Sequence, residues 1–153
     1  MKPILYLLCG LPGTGKTTYA KTLESDTCIR YSLDEFFLAK YKGQVLVPEV
    51  FNTAEQEIKD SIKLLVIETL TAGKSVILDS GFWKKAERDE YKKLAEDNNT
   101  QWELFYFKAP KEIQLDRLSK RETEMNHKIS PELLSIFVGR FEEPMGEGEE
   151  IVK

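Results

Sequence analysis

The sequence has few cysteines, one histidine and no excess of positive charge. Cys9 and Cys28 stand far apart among 153 residues, so neither a zinc site nor a disulfide framework is predicted. A reduced, cytoplasmic setting is expected. His127, the single histidine, lies in a polar stretch, and we assign it no catalytic role. The net charge of −4 argues against a nucleic-acid partner, because binding a phosphate backbone requires a basic face.

A run of apolar residues long enough to cross a membrane is also missing. The run at residues 4–8 is far too short, and only Lys2 precedes it as a positive charge, so no secretory signal is predicted. With 41% hydrophobic and 31% charged residues, the composition is typical of a globular protein. We expect a single domain over residues 1–153. The protein is expected to have no membrane partner and to be a monomer or weak homodimer.

What the sequence does contain is a regular alternation of short apolar runs and helical stripes. Predicted strands cover residues 3–9, 28–33, 75–80, 102–109 and 150–152. Between them, helices are predicted at 16–24, 34–41, 84–96, 110–122 and 130–141, together with a long one from an N-cap at Asn52 to a stop at Gly73. This alternation predicts an α/β fold with a doubly wound parallel sheet, in which ligands bind at the carboxyl ends of the strands.

The first strand runs into a glycine-rich loop that matches G-x-x-x-x-G-K-[ST] from Gly10 to Thr17. A buried strand before the loop and a helix after it favour a phosphate-binding loop over a chance glycine-rich turn. The glycines let backbone N–H groups face phosphate oxygens, and the helix N-terminus adds positive charge. In this role Lys16 contacts the β- and γ-phosphates of ATP, Thr17 ligates Mg²⁺ and Thr18 bonds the α-phosphate. The predicted nucleotide-binding residues are Gly10, Pro12, Gly13, Thr14, Gly15, Lys16, Thr17 and Thr18.

Two aspartates lie at the carboxyl ends of predicted strands and therefore face the same edge of the sheet. Asp79 ends the apolar run at 76–79, where P-loop proteins hold Mg²⁺ with an aspartate; the alternative is a cap for the next turn. Asp34 can accept the proton of a hydroxyl that attacks the γ-phosphoryl group. It is also an ordinary helix-start residue, like Ser32 and Glu35, and both interpretations of Asp34 stay open.

Arginine is rare, with five residues against seventeen lysines. Arg117 and Arg121 lie one helical turn apart, directly before a polar stretch, and predict a mobile cover whose guanidinium groups stabilise a transferring phosphoryl group. The alternative is a solvated helix on which both arginines pair with neighbouring carboxylates. Arg88 is predicted to meet substrate or to form a surface ion pair, and Arg140 carries a weaker signal.

Four aromatic residues lie just beyond the two aspartates: Phe36, Phe37, Phe82 and Trp83. Core packing is the simpler interpretation of this group. The alternative is that some of these side chains wall a substrate pocket.

Taken together, these pieces resemble the zeta-toxin-like and polynucleotide-kinase-like P-loop kinases. The resemblance covers residues 4–143 and rests on the loop at 10–18 together with the segments at 33–36, 77–83 and 115–121. It implies a five-stranded parallel sheet in the order 2-3-1-4-5 and a small helical lid at about 117–130. It also implies that Asp34 is the hydroxyl-activating base, that Arg121 faces the transferred group with Arg117 as a second lid residue, and that residues 141–148 lie beside adenine.

One departure from the resemblance bears on the acceptor. Polynucleotide 5′-hydroxyl kinases carry an arginine three residues after the base, and here that position is Phe37. The resemblance therefore implies an ATP- and Mg²⁺-dependent phosphotransferase acting on a hydroxyl of a small molecule, whether metabolite, nucleotide or antibiotic. The alternatives are an ATPase module that regulates a protein partner and a degenerate member that binds ATP without turnover.

Overall fold

The computed structural model describes residues 2–11, 14–40, 45–46, 48–82, 84–108, 128–129, 136 and 138–152. Among these residues, no helix is long and apolar enough to span a membrane. The predicted helix at 110–122 lies outside the described residues. The elements, in chain order, are β1 (Ile4–Cys9), α1 (Lys16–Leu23), β2 (Cys28–Ser32), α2 (Leu33–Lys40), β3 (Val45–Leu46), α3 (Pro48–Thr71), β4 (Ser75–Gly81), α4 (Lys85–Asp97), β5 (Gln101–Phe107), β6 (Lys128–Ile129) and β7 (Glu149–Val152).

Five of the strands form one parallel sheet in the order β2-β4-β1-β5-β7. Numbered along the chain, these five strands have the order 2-3-1-4-5, which confirms the predicted fold. The central strand β1 pairs with β4 on one side and β5 on the other, with Leu5 opposite both Val76 and Trp102. A separate two-stranded parallel sheet joins β3 to β6. Two-residue strands leave no periodic signal, and this small sheet was not predicted.

The central strands are continuously apolar because both of their faces are covered. On one face, Leu5, Leu7 and Leu78 pack with the buried side of α3. On the other face, Leu8 and Ile77 pack against α1. Alternate residues of the same strand therefore enter opposite halves of the core, and the carboxyl ends of the strands are left as the edge where loops meet.

The long helix α3 begins at Pro48, so the predicted N-cap at Asn52 is wrong. Proline is well suited to a first helical turn because its missing N–H would have no helical partner there. The predicted end is confirmed. Gly73 has a φ of 83°, its N–H donates to Leu70 O, and the N–H of Lys74 donates to Thr69 O, which is the Schellman arrangement.

The buried face of α4 differs from the one that its helical stripe predicts, which is Ala86, Tyr91, Leu94 and Ala95. Leu94 and Ala95 are buried, but Ala86 is exposed, and Arg88 and Lys92 are buried instead. Long charged side chains are seldom buried without a partner. The partner lies in the segment before β7, far away along the chain.

Candidate functional site

The P-loop starts where the ends of β1 and β4 are joined. The N–H of Gly10 donates to Gly81 O at 2.9 Å. A Cβ at position 10 would lie 2.8 Å from Phe107 O and 2.9 Å from Thr14 Oγ1, closer than real Cβ atoms approach. Glycine is therefore required here because neighbouring strands leave no space for a side chain.

Helix α1 presents its N-terminus to this loop. Its N-cap, Gly15, has a left-handed φ of 96°, a conformation in which glycine has no steric penalty. The first turn of α1 carries no acidic residue. The N-terminus therefore keeps the partial positive charge that binds anions.

Lys16 closes the loop from within. Its Nζ donates to Gly10 O and to Leu11 O, at 2.9 Å each, and Thr14 Oγ1 donates to Leu11 O at 2.8 Å. The ammonium group is thereby held over the inside of the loop, where a phosphate oxygen would take the place of the two carbonyls. Pro12 and Gly13 lie outside the described residues, and the contact between Thr18 and the α-phosphate stays a prediction.

The two predicted Mg²⁺ residues lie in direct contact. Thr17 Oγ1 donates to Asp79 Oδ2 at 2.7 Å, and Asp79 is only 5% exposed. Mg²⁺ is bound in nucleotide sites by few protein oxygens, with water and phosphate completing its octahedron. A hydroxyl and a carboxylate beside a phosphate loop fit that donor set, and no group of three or more His, Cys, Asp or Glu elsewhere in the described ranges could hold a metal.

Arg30, to which sequence analysis gave no role, reaches the same carboxylate. Its side chain is 8% exposed, and Nη1 lies 3.7 Å from Asp79 Oδ2. Nη2 donates to Glu35 Oε1 at 2.6 Å, whereas Nε and Nη1 have no hydrogen-bond partner among the described residues. Burial alone would lower the pKa of Arg30, but the hydrogen bond to Glu35 and the nearby carboxylates raise it. A charged group on β2 thus links the Asp79 carboxylate to the first turn of α2.

The start of α2 bears on the two interpretations of Asp34. Ser32 directly precedes the helix, and its Oγ accepts the N–H of Glu35 at 3.3 Å. Ser32 therefore takes the N-cap position, and Asp34 lies in the first turn behind it. The side chain of Asp34 lies outside what the structure describes, so its role as the base stays a prediction.

A buried ion-pair network lies behind the P-loop. Arg88 is 0% exposed, and it donates to both carboxylate oxygens of Glu147, at 2.8 and 3.0 Å. Its Nη1 also donates to Phe82 O at 2.7 Å, the carbonyl that accepts the thiol of Cys9. The predicted surface ion pair of Arg88 is therefore wrong, because the pair is buried. Hydrogen bonding from Arg88 lowers the pKa of Glu147.

A second lysine strengthens this anchor. Lys92 Nζ donates to the backbone carbonyl of Glu147 at 2.8 Å. The segment predicted to lie beside adenine is thus fixed to α4, and its nucleotide contact stays a prediction. Glu147 carries no motif that identifies it as the partner. The one signal in the sequence is a charged pair, Arg88 and Lys92, on the otherwise apolar side of α4.

Of the remaining residues that the sequence singled out, two are buried in the core, one forms an ion pair, and four lie outside the described residues. Phe37 and Phe82 are buried in the core, which confirms core packing for these two. Arg140 Nη1 lies 3.4 Å from Glu55 Oε2. Residues Arg117, Arg121, His127 and Trp83 lie outside the described residues. The strand β6, at the end of the predicted lid stretch, pairs with β3, so that end of the stretch lies beside the entry to α3.

Comparison with known proteins gives a consistent result. The family described as an AAA domain matches residues 5–144. An L-seryl-tRNA(Sec) kinase from Methanococcus maripaludis is 30% identical over 145 residues, which is 92% of this chain and 53% of that protein. The chain therefore spans about half the length of this curated relative.

Solved structures share the fold at lower identity. Kti12 from Chaetomium thermophilum, in complex with ADP-AlF3, has a TM-score of 0.75 at 20% identity, covering 97% of this chain and 88% of that one. A gluconokinase from Sinorhizobium meliloti has a TM-score of 0.63 at 18% identity, covering 99% and 82%. At such identities these likenesses show the fold alone.

Proposed function

This chain belongs to the AAA domain family of P-loop kinases, and we propose that it is an ATP- and Mg²⁺-dependent phosphotransferase that moves the γ-phosphoryl group to a small-molecule hydroxyl. The observation that carries the proposal is the contact of Thr17 with Asp79 at 2.7 Å. It brings the two residues that would hold Mg²⁺ together at the N-terminus of α1. A glycine-rich turn without a nucleotide role would not need a buried carboxylate at that point.

Each residue of the loop has a defined task in this proposal. Lys16 contacts the β- and γ-phosphates in place of the two carbonyls that it now contacts. The backbone N–H groups after Gly15 bind phosphate oxygens at the helix N-terminus. Mg²⁺, held by Thr17 and Asp79, would neutralise charge on the β- and γ-phosphate oxygens.

The transfer itself requires a base and a charged cover. Asp34 accepts the proton of the acceptor hydroxyl, and the hydroxyl oxygen forms a bond to the γ-phosphorus. The bond from that phosphorus to the bridging oxygen breaks at the same time, and ADP leaves. We assign the N-cap to Ser32, so Asp34 is available for this role. Arg121, with Arg117 as its neighbour in the lid, stabilises the spreading charge of the transferred group.

The relatives support this function at a coarse level. The M. maripaludis protein is named a kinase whose substrate is a tRNA-borne seryl group, and Kti12 was solved with ADP-AlF3. The net charge of −4 and the burial of Phe37, 1% exposed, favour a small acceptor over a nucleic-acid end. A cytoplasmic location stays part of the proposal.

A transfer assay with γ-labelled ATP and Mg²⁺ tests the function. The acceptor panel holds metabolites, antibiotics, nucleotides and RNA, with water as the control acceptor. We expect label on a small hydroxyl compound at a rate well above hydrolysis. Label released only as phosphate, under all conditions, would instead favour the regulatory ATPase.

Asp34→Asn tests the base within the same assay. The amide keeps the shape of the side chain but cannot accept a proton, so transfer should fall by about 100-fold or more while ATP affinity stays unchanged. Asp26→Asn, at an exposed aspartate before β2, is the matched control and should behave like the parent. Normal turnover in Asp34→Asn would exclude Asp34 as the base.

A further inference from the structure

A cavity of about 140 Å³ lies at the carboxyl end of the sheet, between α3 and α4. Its inner wall comes from Leu33, Ser80 and Phe82. Leu33 directly precedes Asp34, and Ser80 directly follows Asp79. The cavity therefore adjoins the backbone of both aspartates, at the edge where ligands of parallel sheets bind.

The two lysines that line this cavity are already neutralised. Lys59 Nζ lies 2.7 Å from Glu55 Oε1 and 3.2 Å from Glu87 Oε1. Lys63 Nζ contacts Glu90 Oε1. An anionic acceptor, such as a phosphorylated or carboxylated one, would have to break these pairs before either lysine could bind it. The cavity thus lacks the available cation that such an acceptor requires.

The carboxylates of the cavity leave a negative field. Asp60 accepts a hydrogen bond from the neutral amide of Gln56 at 2.8 Å, and no ion pair in the described part of the chain joins Asp60 to a cation. Burial raises the pKa of Tyr91, and the charges of Glu90, Glu87 and Asp60 raise it further. All three carboxylates therefore act on the phenol that lines the same space.

Aromatic rings form the other part of the wall. Phe82 and Tyr91 meet edge to face, with centroids 5.3 Å apart and an interplanar angle of 86°. Ring faces attract cations, and carboxylates on the same wall add charge-assisted hydrogen bonds. Aromatic surface combined with carboxylates is the chemistry that recognises an ammonium group.

We propose that this cavity binds the phosphoryl acceptor and that the acceptor is a hydroxylated amine, such as an amino alcohol or an amino sugar. Its ammonium group contacts Asp60 and the ring of Tyr91. Its hydroxyl faces the strand ends, where it loses its proton to Asp34 and forms the bond to the γ-phosphorus as ADP leaves. This inference rests on the proposed kinase function.

Acceptors of similar size, in which one substituent is an ammonium group, a hydroxyl or a carboxylate, provide the test. One set is ethanolamine, ethylene glycol and glycolate; the other is glucosamine, glucose and glucuronate, each supplied with γ-labelled ATP and Mg²⁺. We expect the amine of each set to be phosphorylated with a kcat/KM at least 10-fold above its neutral and anionic counterparts. Preference for a neutral or anionic acceptor, or no transfer to either amine, overturns this inference.

The two proposals fail in different ways in that experiment. Transfer to a neutral or anionic acceptor leaves the kinase standing and removes only the ammonium site. Hydrolysis of ATP without transfer to any acceptor, charged or not, removes the kinase function itself.

Substitutions on the cavity wall supply the second readout. Asp60→Asn removes the carboxylate that contacts the ammonium group, and Glu90→Gln leaves the positive charge of Lys63 unpaired in the same cavity. Both variants change exposed side chains, so the core is preserved. Each should raise the KM for the amine at least 5-fold and leave the KM for ATP unchanged. Glu57→Gln is the matched control, since Glu57 lies on the same helix, is 73% exposed and pairs with Lys40. An equal change in all three variants, or none in the first two, overturns the ammonium site.

Discussion

At the scale of single residues, the phosphate site is built from groups that hold one another in place. Lys16 donates hydrogen bonds to two loop carbonyls, and Thr17 contacts Asp79. At Gly10, the neighbouring atoms leave no room for a Cβ. In the proposed function, a phosphate oxygen replaces the carbonyls at Lys16, and Mg²⁺ joins the pair formed by Thr17 and Asp79. Substitutions here should therefore change binding more than stability.

Lys16→Ala is expected to remove most of the ATP affinity and to preserve the fold. The ammonium makes charge-assisted bonds worth about 1.5–3 kcal/mol each, so the Kd for ATP should rise by roughly 10- to 100-fold. Calorimetric titration measures the Kd, and denaturant unfolding checks the fold. Lys21→Ala, at an exposed lysine of the same helix, is the control. Unchanged ATP affinity in Lys16→Ala would contradict the phosphate-loop assignment.

Cys9 gives a prediction for alkaline pH. Burial raises the pKa of its thiol from 9.0 to about 11. The stabilising contribution of the raised pKa is complete below pH 9 and is lost as the pH rises through 11. About 2–3 kcal/mol of unfolding free energy should disappear across this window. Cys9→Ala should lose less over the same range, and equal slopes in urea-unfolding titrations of the two proteins would refute this.

At the scale of elements, a buried ion pair fixes the segment before β7 to α4. Arg88 and Glu147 are 59 residues apart in the chain, yet they form two hydrogen bonds. The same guanidinium holds Phe82 O at the end of β4. Phe82 has a φ of 48°, a left-handed conformation that costs a bulky residue free energy. One side chain therefore secures the end of β4 and the segment that precedes β7.

Arg88→Met should destabilise the protein by about 3 kcal/mol, because it removes both hydrogen bonds to the buried Glu147 carboxylate and leaves only Lys92, 3.7 Å from Oε1, as its cation. Denaturant unfolding measures the loss. Lys85→Met is the control, since Lys85 pairs with Asp89 on the exposed face of the same helix, where such a pair contributes at most about 1 kcal/mol. Equal losses in the two variants would show that the Arg88 pair is no stronger than a surface pair.

At the predicted lid, Arg121→Lys should remove about 2–4 kcal/mol of transition-state stabilisation. This loss should appear as a lower turnover rate. A single ammonium cannot bridge two oxygens of a planar phosphoryl group. Turnover and ATP affinity are measured for Arg121→Lys and Arg117→Lys at saturating Mg²⁺, and the second variant should lose less. The reverse order would place the lid one helical turn away, and two normal variants would remove the lid model.

Elements with a local signal were predictable, and contacts between distant residues were not. The five strands and the loop at Gly10 follow from apolar runs and a motif within a few residues. The buried state of Arg88 depends on Glu147, and that of Arg30 on Asp79 and Glu35. Periodicity along one helix or strand cannot reveal a partner on another. The predicted start of α3 was wrong for a different reason. Two acceptable helix starts, Pro48 and Asn52, lie about one turn apart, and the sequence alone does not choose between them.

At the scale of the whole molecule, the sheet brings the two halves of the site together. β1 supplies the P-loop and β4 supplies Asp79, and their pairing sets the distance between them. The groups of the proposed metal and phosphate site therefore come together only in the folded sheet. A ligand that needs both strands stabilises the native state alone.

MgATP should accordingly raise the thermal midpoint more than ATP with a chelator does. At a ligand concentration 100 times the Kd, the gain is about 2.7 kcal/mol. Asp79→Asn should abolish the difference between the two conditions, because the neutral amide holds Mg²⁺ weakly. Asp97→Asn, at an exposed aspartate at the end of α4, should keep the difference. A full Mg²⁺ effect in Asp79→Asn would show that Asp79 does not hold the metal.

The pairing of β1 with later strands also has a consequence for synthesis on the ribosome. Thr17 and Asp79 are 62 residues apart, and both neighbours of β1 in the sheet follow it by more than 60 residues. At translation rates of about 5–20 residues per second, roughly 3–12 seconds pass between the synthesis of the apolar strand β1 and that of its partner β4. During that interval the contact of Thr17 with Asp79 cannot form, because Asp79 has not yet been synthesised. A nucleotide bound at the proposed site is therefore not expected to protect the nascent chain.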